Sequence, residues 1–354
     1  MKTPLLNGEA LISRLLQQHW HLRTTAIRHI PIGDSAHSYS LETSAGAKYY
    51  LKLVDRRSKV GQRIAAHMAF SLPLQQLVAE SQLSEVTAPR PIPTLEGALS
   101  VSHNTFLLAL YEFVEGETLA GAYPMSPELV KRIASALAAL HTIEIPERQK
   151  SPQDSLTAPF EADLLANLAS LEFIFAQDAP YLQRLRTLVW PRREQIKEFL
   201  QESQEYANKT LSLSSPHVVC HGDAWGGNMI LSPDGRLALL DWESAVLAPR
   251  ERDAFGYMGF IGPDFAVFDA GYRMVHQGPL RWHPELLAYY AYRLQLRNLA
   301  QWLHNLLYES LNEVQRANDL EMIEHHCLDR LESVRRAAKR IFEFLREGEK
   351  GRKV

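Results

Sequence analysis

The rhythm of apolar and polar positions changes near residue 116. Before it, short runs rich in β-branched and aromatic residues occupy 26–32, 38–41 and 49–53. Gly33-Asp34-Ser35 and Ser44-Ala45-Gly46 separate them, which predicts strands joined by turns. Residues 63–83 follow a helical spacing, and Pro73 is expected to break or restart that helix. A proline-rich loop at 86–93 precedes an apolar run at 105–114 (TFLLALYEFV), which reads as another strand.

Beyond Gly116 the spacing becomes helical. Residues 127–141 (PELVKRIASALAALH) predict a helix with Ser126 as its N-cap. Residues 161–208 predict two more, with a break at Pro180. A short β island interrupts them: candidate strands at 216–220 and 237–241, with the turn Ser232-Pro233-Asp234-Gly235 before the second. From Pro284 onward the chain is again helical, and no internal repeat occurs.

Composition narrows the class. A chain of 354 residues exceeds what one core usually spans, so two or three structural units are expected. With 46% hydrophobic and 22% charged residues it is neither disordered nor fibrous. A net charge of -3 and a pI near 6.5, without a basic block, argue against a nucleic-acid partner. Two cysteines, Cys220 and Cys327, exclude a disulfide framework and fit a reducing cytosol. Glu9 and Arg14 interrupt the apolar N-terminus, and no apolar run reaches about 18 residues, so neither an export signal nor a membrane partner is expected. The chain is expected to be cytoplasmic. Basic groups outnumber acidic ones over residues 1–112, and the reverse holds over 113–354. Such a split suits an anionic cofactor on one side and a cationic substrate on the other.

The segment V-V-C-H-G-D-A-W-G-G-N at 218–228 carries the clearest chemistry. It places Asp223 and Asn228 after an apolar strand, and Asp241 closes the next strand in L-L-D-W-E. Phosphoryl transfer needs a carboxylate to orient and deprotonate the attacking hydroxyl, and hard oxygen ligands for Mg²⁺. Asp223 supplies the base; Asn228 and Asp241 supply the ligands. Gly226-Gly227 gives the loop its tight backbone. No G-x-x-x-x-G-K-[ST] or G-x-G-x-x-G string is present, so neither a P-loop nor a dinucleotide fingerprint is available. The candidate phosphate loop is the turn at 31–38, with Gly33 and Ser35. Lys52, inside the apolar Y-Y-L-K-L, is the candidate contact to nucleotide phosphates, because a cation there is costly unless paired.

Together these pieces resemble the aminoglycoside phosphotransferase family, relatives of protein kinases and choline kinases. The matching segments are YYLKL with Lys52, LALYEFVEG at 108–116, ALAALH at 136–141, VVCHGDAWGGNMIL at 218–231 and LLDWESAVLAPRERD at 239–253. Leu247-Ala248-Pro249 and Glu251-Arg252-Asp253 are most similar to spectinomycin-type members. The resemblance implies an α+β, two-lobed protein-kinase-like fold. A small β-rich N-lobe over 1–112 would bind nucleotide, and a larger, mainly helical C-lobe over 113–354 would carry catalysis and substrate. It implies ATP (or GTP) and Mg²⁺ as cofactors, Asp223 as base, Asn228 and Asp241 as metal ligands, and Lys52 on the α- and β-phosphates. It also implies that the backbone of Glu112 and Val114 meets the adenine, that His221 orders its loop, and that Arg252 and Asp253 form a structural pair.

One departure stands out. Relatives pair the strand lysine with a glutamate on the next helix, yet no glutamate lies between Lys52 and Glu80. Gln62, Gln75, Gln76 or Glu80 are the available stand-ins. On the acceptor side, Glu243, Glu251, Asp264 and Asp269 are candidates to attract a cationic small molecule, and Trp225 and Trp242 to wall its cleft. His325-His326-Cys327 lacks metal-ligand spacing, and the amphipathic 334–344 segment is expected to pack on the helical lobe. The expected function is an ATP- and Mg²⁺-dependent O-phosphotransferase acting on an aminoglycoside or aminocyclitol antibiotic. Choline, ethanolamine, homoserine and sugar kinases share the motif set, and a non-catalytic nucleotide-binding regulator would follow from the missing glutamate.

Overall fold

The computed structural model describes residues 8–31, 36–146, 151–259 and 264–351. The phosphate-loop candidates Gly33 and Ser35 lie outside these residues. The chain forms two compact units that are not contiguous in sequence. The first comprises Met1–Tyr123, Ser135–Pro152 and Val218–Leu247. The second comprises Pro124–Ala134, Gln153–His217 and Ala248–Val354. Compactness thus groups the β island with the N-terminal sheet.

The first unit is built on a five-stranded antiparallel sheet. Its strands are β1 (Thr24–Ile30), β2 (His37–Thr43), β3 (Lys48–Asp55), β5 (Val101–His103) and β6 (Phe106–Glu112), in the order β1-β2-β3-β6-β5. The side-chain period of two divides the residues between its faces. Tyr39, Leu41, Leu51, Leu53, Leu108 and Leu110 pack with Ile12, Leu15, Leu16 and Trp20 of helix α1 (Gly8–Trp20). Val54, Ala109 and Tyr111, from the opposite face, pack with Ile64, Met68 and Leu72 of helix α2 (Lys59–Glu80). Lys52 alternates onto this second face, in register with Ala109 and Ser38. The small side chain of Ala109 leaves room for it.

Helix α2 runs unbroken through Pro73, contrary to the expected interruption. Pro73 and Ala69, whose carbonyl loses its helical bond, are both exposed, so the freed group faces solvent. Ser58 caps its start by accepting from the Gly61 amide at 3.0 Å. Strands β4 (Val86–Thr87), β8 (Met229–Leu231) and β9 (Leu237–Leu239) form a three-stranded sheet in the order β4-β9-β8. Strands β7 (His217–Cys220) and β10 (Val246–Pro249) pair with each other. Asp241 falls beyond β9 rather than ending it.

Helix α3 (Pro127–Leu140) starts at the predicted cap, with Ser126 accepting from Leu129 N–H at 3.2 Å. Three helices replace the two expected at 161–208: α4 (Glu161–Ser170), α5 (Pro180–Val189) and α6 (Arg193–Thr210). The remainder of the second unit adds α7 (Glu251–Ala254), α8 (Phe265–Arg273), α9 (Pro284–Tyr308), α10 (Glu313–Glu321) and α11 (Leu331–Gly351). The buried α9 is central, and Tyr292 stacks on Phe199 of α6 at 4.0 Å. Asp154 accepts from Arg293 at 2.8 Å, and Arg252 lies 3.9 Å from the same carboxylate. Arg252 also sits over the Tyr290 ring. In α11 the stripe Val334, Ala337, Ala338 and Ile341 is buried, as its pattern predicts. No helix among the described residues is long and apolar enough to cross a membrane.

Candidate active site

Lys52 is buried on the α2 face of the sheet, and its ammonium contacts two carboxylates. Asp241 Oδ1 accepts from Nζ at 2.8 Å, and Glu243 is ion-paired to the same nitrogen. Burial pulls the lysine's pKa down, but Asp241 and Glu243 outweigh it and hold the ammonium well above its usual range. For Asp241 burial pushes the other way, and Lys52 reverses it, leaving the carboxyl below its usual value. The expected stand-ins on α2 do not reach Lys52. Gln62 donates to Arg56 O, Gln75 to Pro89 O and Gln76 to Glu80.

The loop from β7 to β8 carries Asp223 and Asn228. Asn228 Nδ2 donates to Asp223 Oδ2 at 2.8 Å and to the Asp223 carbonyl at 3.0 Å. This turns the donor end of the Asn228 amide to Asp223, so its oxygen is the end that could hold a cation. His221 is fully buried and donates from Nε2 to Leu240 O at 2.7 Å, while Leu240 N–H donates to Asn228 O at 2.8 Å. These bonds tie the Asp223 loop to the segment bearing Asp241. His221 therefore orders the loop, as the resemblance implies. Gly222, at φ +79°, holds the approach: a Cβ there would fall 2.1 Å from Ser244 O. Asp241 itself adopts φ 56° and ψ 67°, a left-handed conformation that costs a non-glycine residue energy. Such strain persists where the surroundings over-determine the backbone.

A cavity of about 280 Å³ opens beside these groups, lined by Lys52, Asn228, Asp241, Glu243, Glu112 and Val114. Glu112 and Val114, whose backbone the resemblance puts against the adenine, thus border the space that Lys52 and Asp241 line. The Glu112 carboxylate is engaged by Arg90, and its N–H donates to Arg90 O at 2.9 Å. Tyr50, two residues before Lys52 on the same face, and Tyr111 also line the cavity. Tyr50 meets Ser38 Oγ at 2.6 Å. Burial pushes both phenols up, so both stay neutral hydroxyls. The period-two relation of Tyr50 to Lys52 is the signal that would have found it, and Tyr111 faces Tyr50 across the strand pair.

The remaining candidates are distributed differently. Trp225 is 47% exposed, and its ring lies over Gly227, where a Cβ would come within 2.2 Å of it. Trp242 is instead a buried anchor, donating to Leu239 O at 2.7 Å. Glu243 sits on Lys52 rather than presenting itself at a surface. Asp264 belongs to the second unit, at the start of α8, and is not among the residues lining the cavity. Tyr123 also escaped the sequence reading. The Tyr123 hydroxyl accepts from Gly226 N–H at 2.9 Å and pins the Asp223 loop from outside. No motif marks it, because the contact joins residues 103 positions apart.

The sheet-bearing N-terminal region and helical C-terminal region make this an α+β, protein-kinase-like fold. Residues 26–274 match the phosphotransferase enzyme family, and the chain belongs to it. The fold is similar to that of a spectinomycin phosphotransferase solved with ADP and spectinomycin, with a TM-score of 0.75 at 19% identity over 93% of this chain and 98% of that one. An aminoglycoside phosphotransferase from Alicyclobacillus acidocaldarius superposes with a TM-score of 0.60 at 18% identity, covering 96% and 98% of the two chains. Over 172 residues the sequence is 28% identical to a probable ethanolamine kinase A of Dictyostelium discoideum. That match covers 47% of this chain and 45% of the relative, so it spans less than half of the curated protein's length.

Proposed function

We propose that the chain is a nucleotide- and Mg²⁺-dependent O-phosphotransferase whose acceptor is the hydroxyl of a small cationic molecule, an aminocyclitol or aminoglycoside of the spectinomycin kind. One observation carries the reading. Lys52, Asn228 and Asp241, from distant parts of the sequence, line one cavity, and Asp223 is hydrogen-bonded to Asn228 at its edge.

Asp223 is the general base. Asn228 occupies its Oδ2 and leaves Oδ1 to take the proton of the acceptor hydroxyl. The acceptor oxygen then bonds to the γ-phosphorus, the bond from that phosphorus to the bridging oxygen breaks, and the nucleoside diphosphate leaves with the electron pair. Lys52 steadies the α- and β-phosphates as a fixed cation. The backbone of Glu112 and Val114 borders the purine; Val114 makes no backbone hydrogen bond among the described residues. Asn228 and Asp241 form a hard-oxygen pair, and the 42% exposed Asp241 side chain is accessible from the cavity. These two residues would hold Mg²⁺, which would supply Lewis-acid stabilisation of the phosphate charge. A cytoplasmic setting fits Cys220 and Cys327, which are buried and unbridged.

Part of the chain favours a second acceptor class. The similarity to a probable ethanolamine kinase supports an amino-alcohol as acceptor through the same residues. The deciding experiment is Mg²⁺-dependent ADP or GDP release across spectinomycin, aminoglycosides, macrolides, ethanolamine, choline and homoserine. A single strong responder among the antibiotics is the expected result. A response to ethanolamine or choline alone would replace the antibiotic reading. Silence across the panel with nucleotide still bound would favour the regulator.

A further inference from the structure

The absent helix glutamate has a replacement in the structure. Among the described residues, the cavity-lining positions of α2 are Met68, Ser71 and Gln75, all without charge. Gln75 is engaged by Pro89 O, and Glu80, exposed at the end of the helix, accepts from Gln76. Two carboxylates pair with Lys52, and they differ in environment. The Asp241 side chain is 42% exposed, whereas that of Glu243 is 16% exposed. Only the first is positioned to exchange its lysine contact for another ligand; the second remains inside.

The backbone under Glu243 is held on both sides. Residues Trp242–Ser244 form one 3-10 turn closed by Ala245 N–H donating to Trp242 O at 3.1 Å. The indole of Trp242 is buried and hydrogen-bonded to Leu239 O. On the other flank, Ser244 O rests against the bare Cα of Gly222.

From this arrangement we infer that Glu243 is the positioning residue for Lys52, the partner that keeps its ammonium aimed at the nucleotide phosphates when Asp241 turns to a metal. The inference rests on the phosphotransferase reading and deepens it. It removes Glu243 from the acceptor-binding candidates. It also makes the lysine's position a property of the segment that bears Asp241, independent of where α2 lies.

A double-mutant cycle tests it, using calorimetric binding of ADP with EDTA and again with Mg²⁺. Glu243→Gln is expected to weaken ADP binding in Mg²⁺ roughly tenfold or more, the loss typical of a charge-assisted hydrogen bond, and to weaken it less with EDTA, where Asp241 keeps its own contact with Lys52. In a Lys52→Met background the same change is expected to alter binding less than about twofold, because its effect acts through the lysine. A full Glu243→Gln effect without Lys52 would overturn the inference. So would an unchanged affinity in Mg²⁺, and an effect that persists without Lys52 only when Mg²⁺ is present would make Glu243 a metal ligand. Should Glu243→Gln fail to fold, Glu243→Asp closes the same cycle. Wild-type protein that binds no ADP would remove the phosphotransferase reading and this one together. Wild-type protein that transfers phosphate, with a Glu243→Gln variant matching it, would remove this one alone.

Discussion

Lys52 and Asp241 are 189 residues apart in sequence and 2.8 Å apart at their charged atoms. Lys52 is buried, so its charge would be costly alone; against the pull of burial, Asp241 holds the lysine's pKa up and Lys52 holds that of the partly exposed Asp241 down. Lys52→Met removes the cation from both Asp241 and the more deeply buried Glu243. The expected cost is about 1–3 kcal/mol, since Asp241 retains partial access to water. Nucleotide affinity should fall by at least tenfold. Thermal melts with and without ADP check both; an unchanged ADP-induced shift would remove Lys52 from the phosphate site.

Asp223 makes a prediction about turnover alone. Asp223→Asn keeps the shape and removes the base, so turnover should drop by roughly 10²–10⁴. Nucleotide affinity should stay within about twofold. Steady-state kinetics on the responding acceptor decide this, and near-normal turnover would take the base role away from Asp223.

Tyr123 tests the support of the loop. Tyr123→Phe deletes the acceptor of the Gly226 N–H while keeping the ring. The unpartnered amide costs about 1–3 kcal/mol at most, and the loop loses its outer tie. We expect turnover several-fold lower with little change in nucleotide KM. A variant in which only nucleotide KM rises would place the tie elsewhere in the cycle.

Trp225 is the large aromatic that the Asp223 loop leaves exposed. An aromatic face beside the base attracts a cationic acceptor by roughly 0.5–2 kcal/mol, more when water is excluded. Trp225→Ala should raise acceptor KM about tenfold and leave ADP binding unaltered. Gly227→Ala should behave similarly, because the new methyl displaces the ring that covers it. Unchanged acceptor KM in both would return Trp225 to a structural role.

Glu251 governs a pH effect away from the cavity. It is fully buried, and burial raises its carboxyl to about 7, although the His283 N–H donates to it at 2.9 Å. A raised acid holds its proton more tightly folded than unfolded. Its stabilising contribution is therefore complete below the usual value of 4.5 and is lost as pH rises through about 7. The loss amounts to roughly 3 kcal/mol over that window. Glu251→Gln retains an acceptor for His283 and has nothing to ionise, so its melting temperature should decline less between pH 5 and pH 8. Parallel profiles for the two proteins would exclude Glu251 as the source.

Much of the protein was legible in the chain itself. The strand alternation that sends Tyr50, Lys52 and Val54 to one face and Leu51 and Leu53 to the other is a period-two pattern, readable without coordinates. Asp223, Asn228 and Asp241 stand out in the sequence because the chemistry proposed for them demands local spacing and hard oxygens. Helix α3 and its Ser126 cap are local too. The structure decided what depends on distant neighbours. Pro73 stays inside α2 because its released carbonyl is on the exposed side, which no window of sequence reports. Glu243 looked like one more acidic residue near a reactive group, and only packing against Lys52 shows which charge it answers. Tyr123 reached the loop through a hydrogen bond across 103 positions. Local rules follow from backbone geometry that repeats every few residues. Ion pairs and pins between remote segments follow from burial, which exists only once the chain has closed on itself.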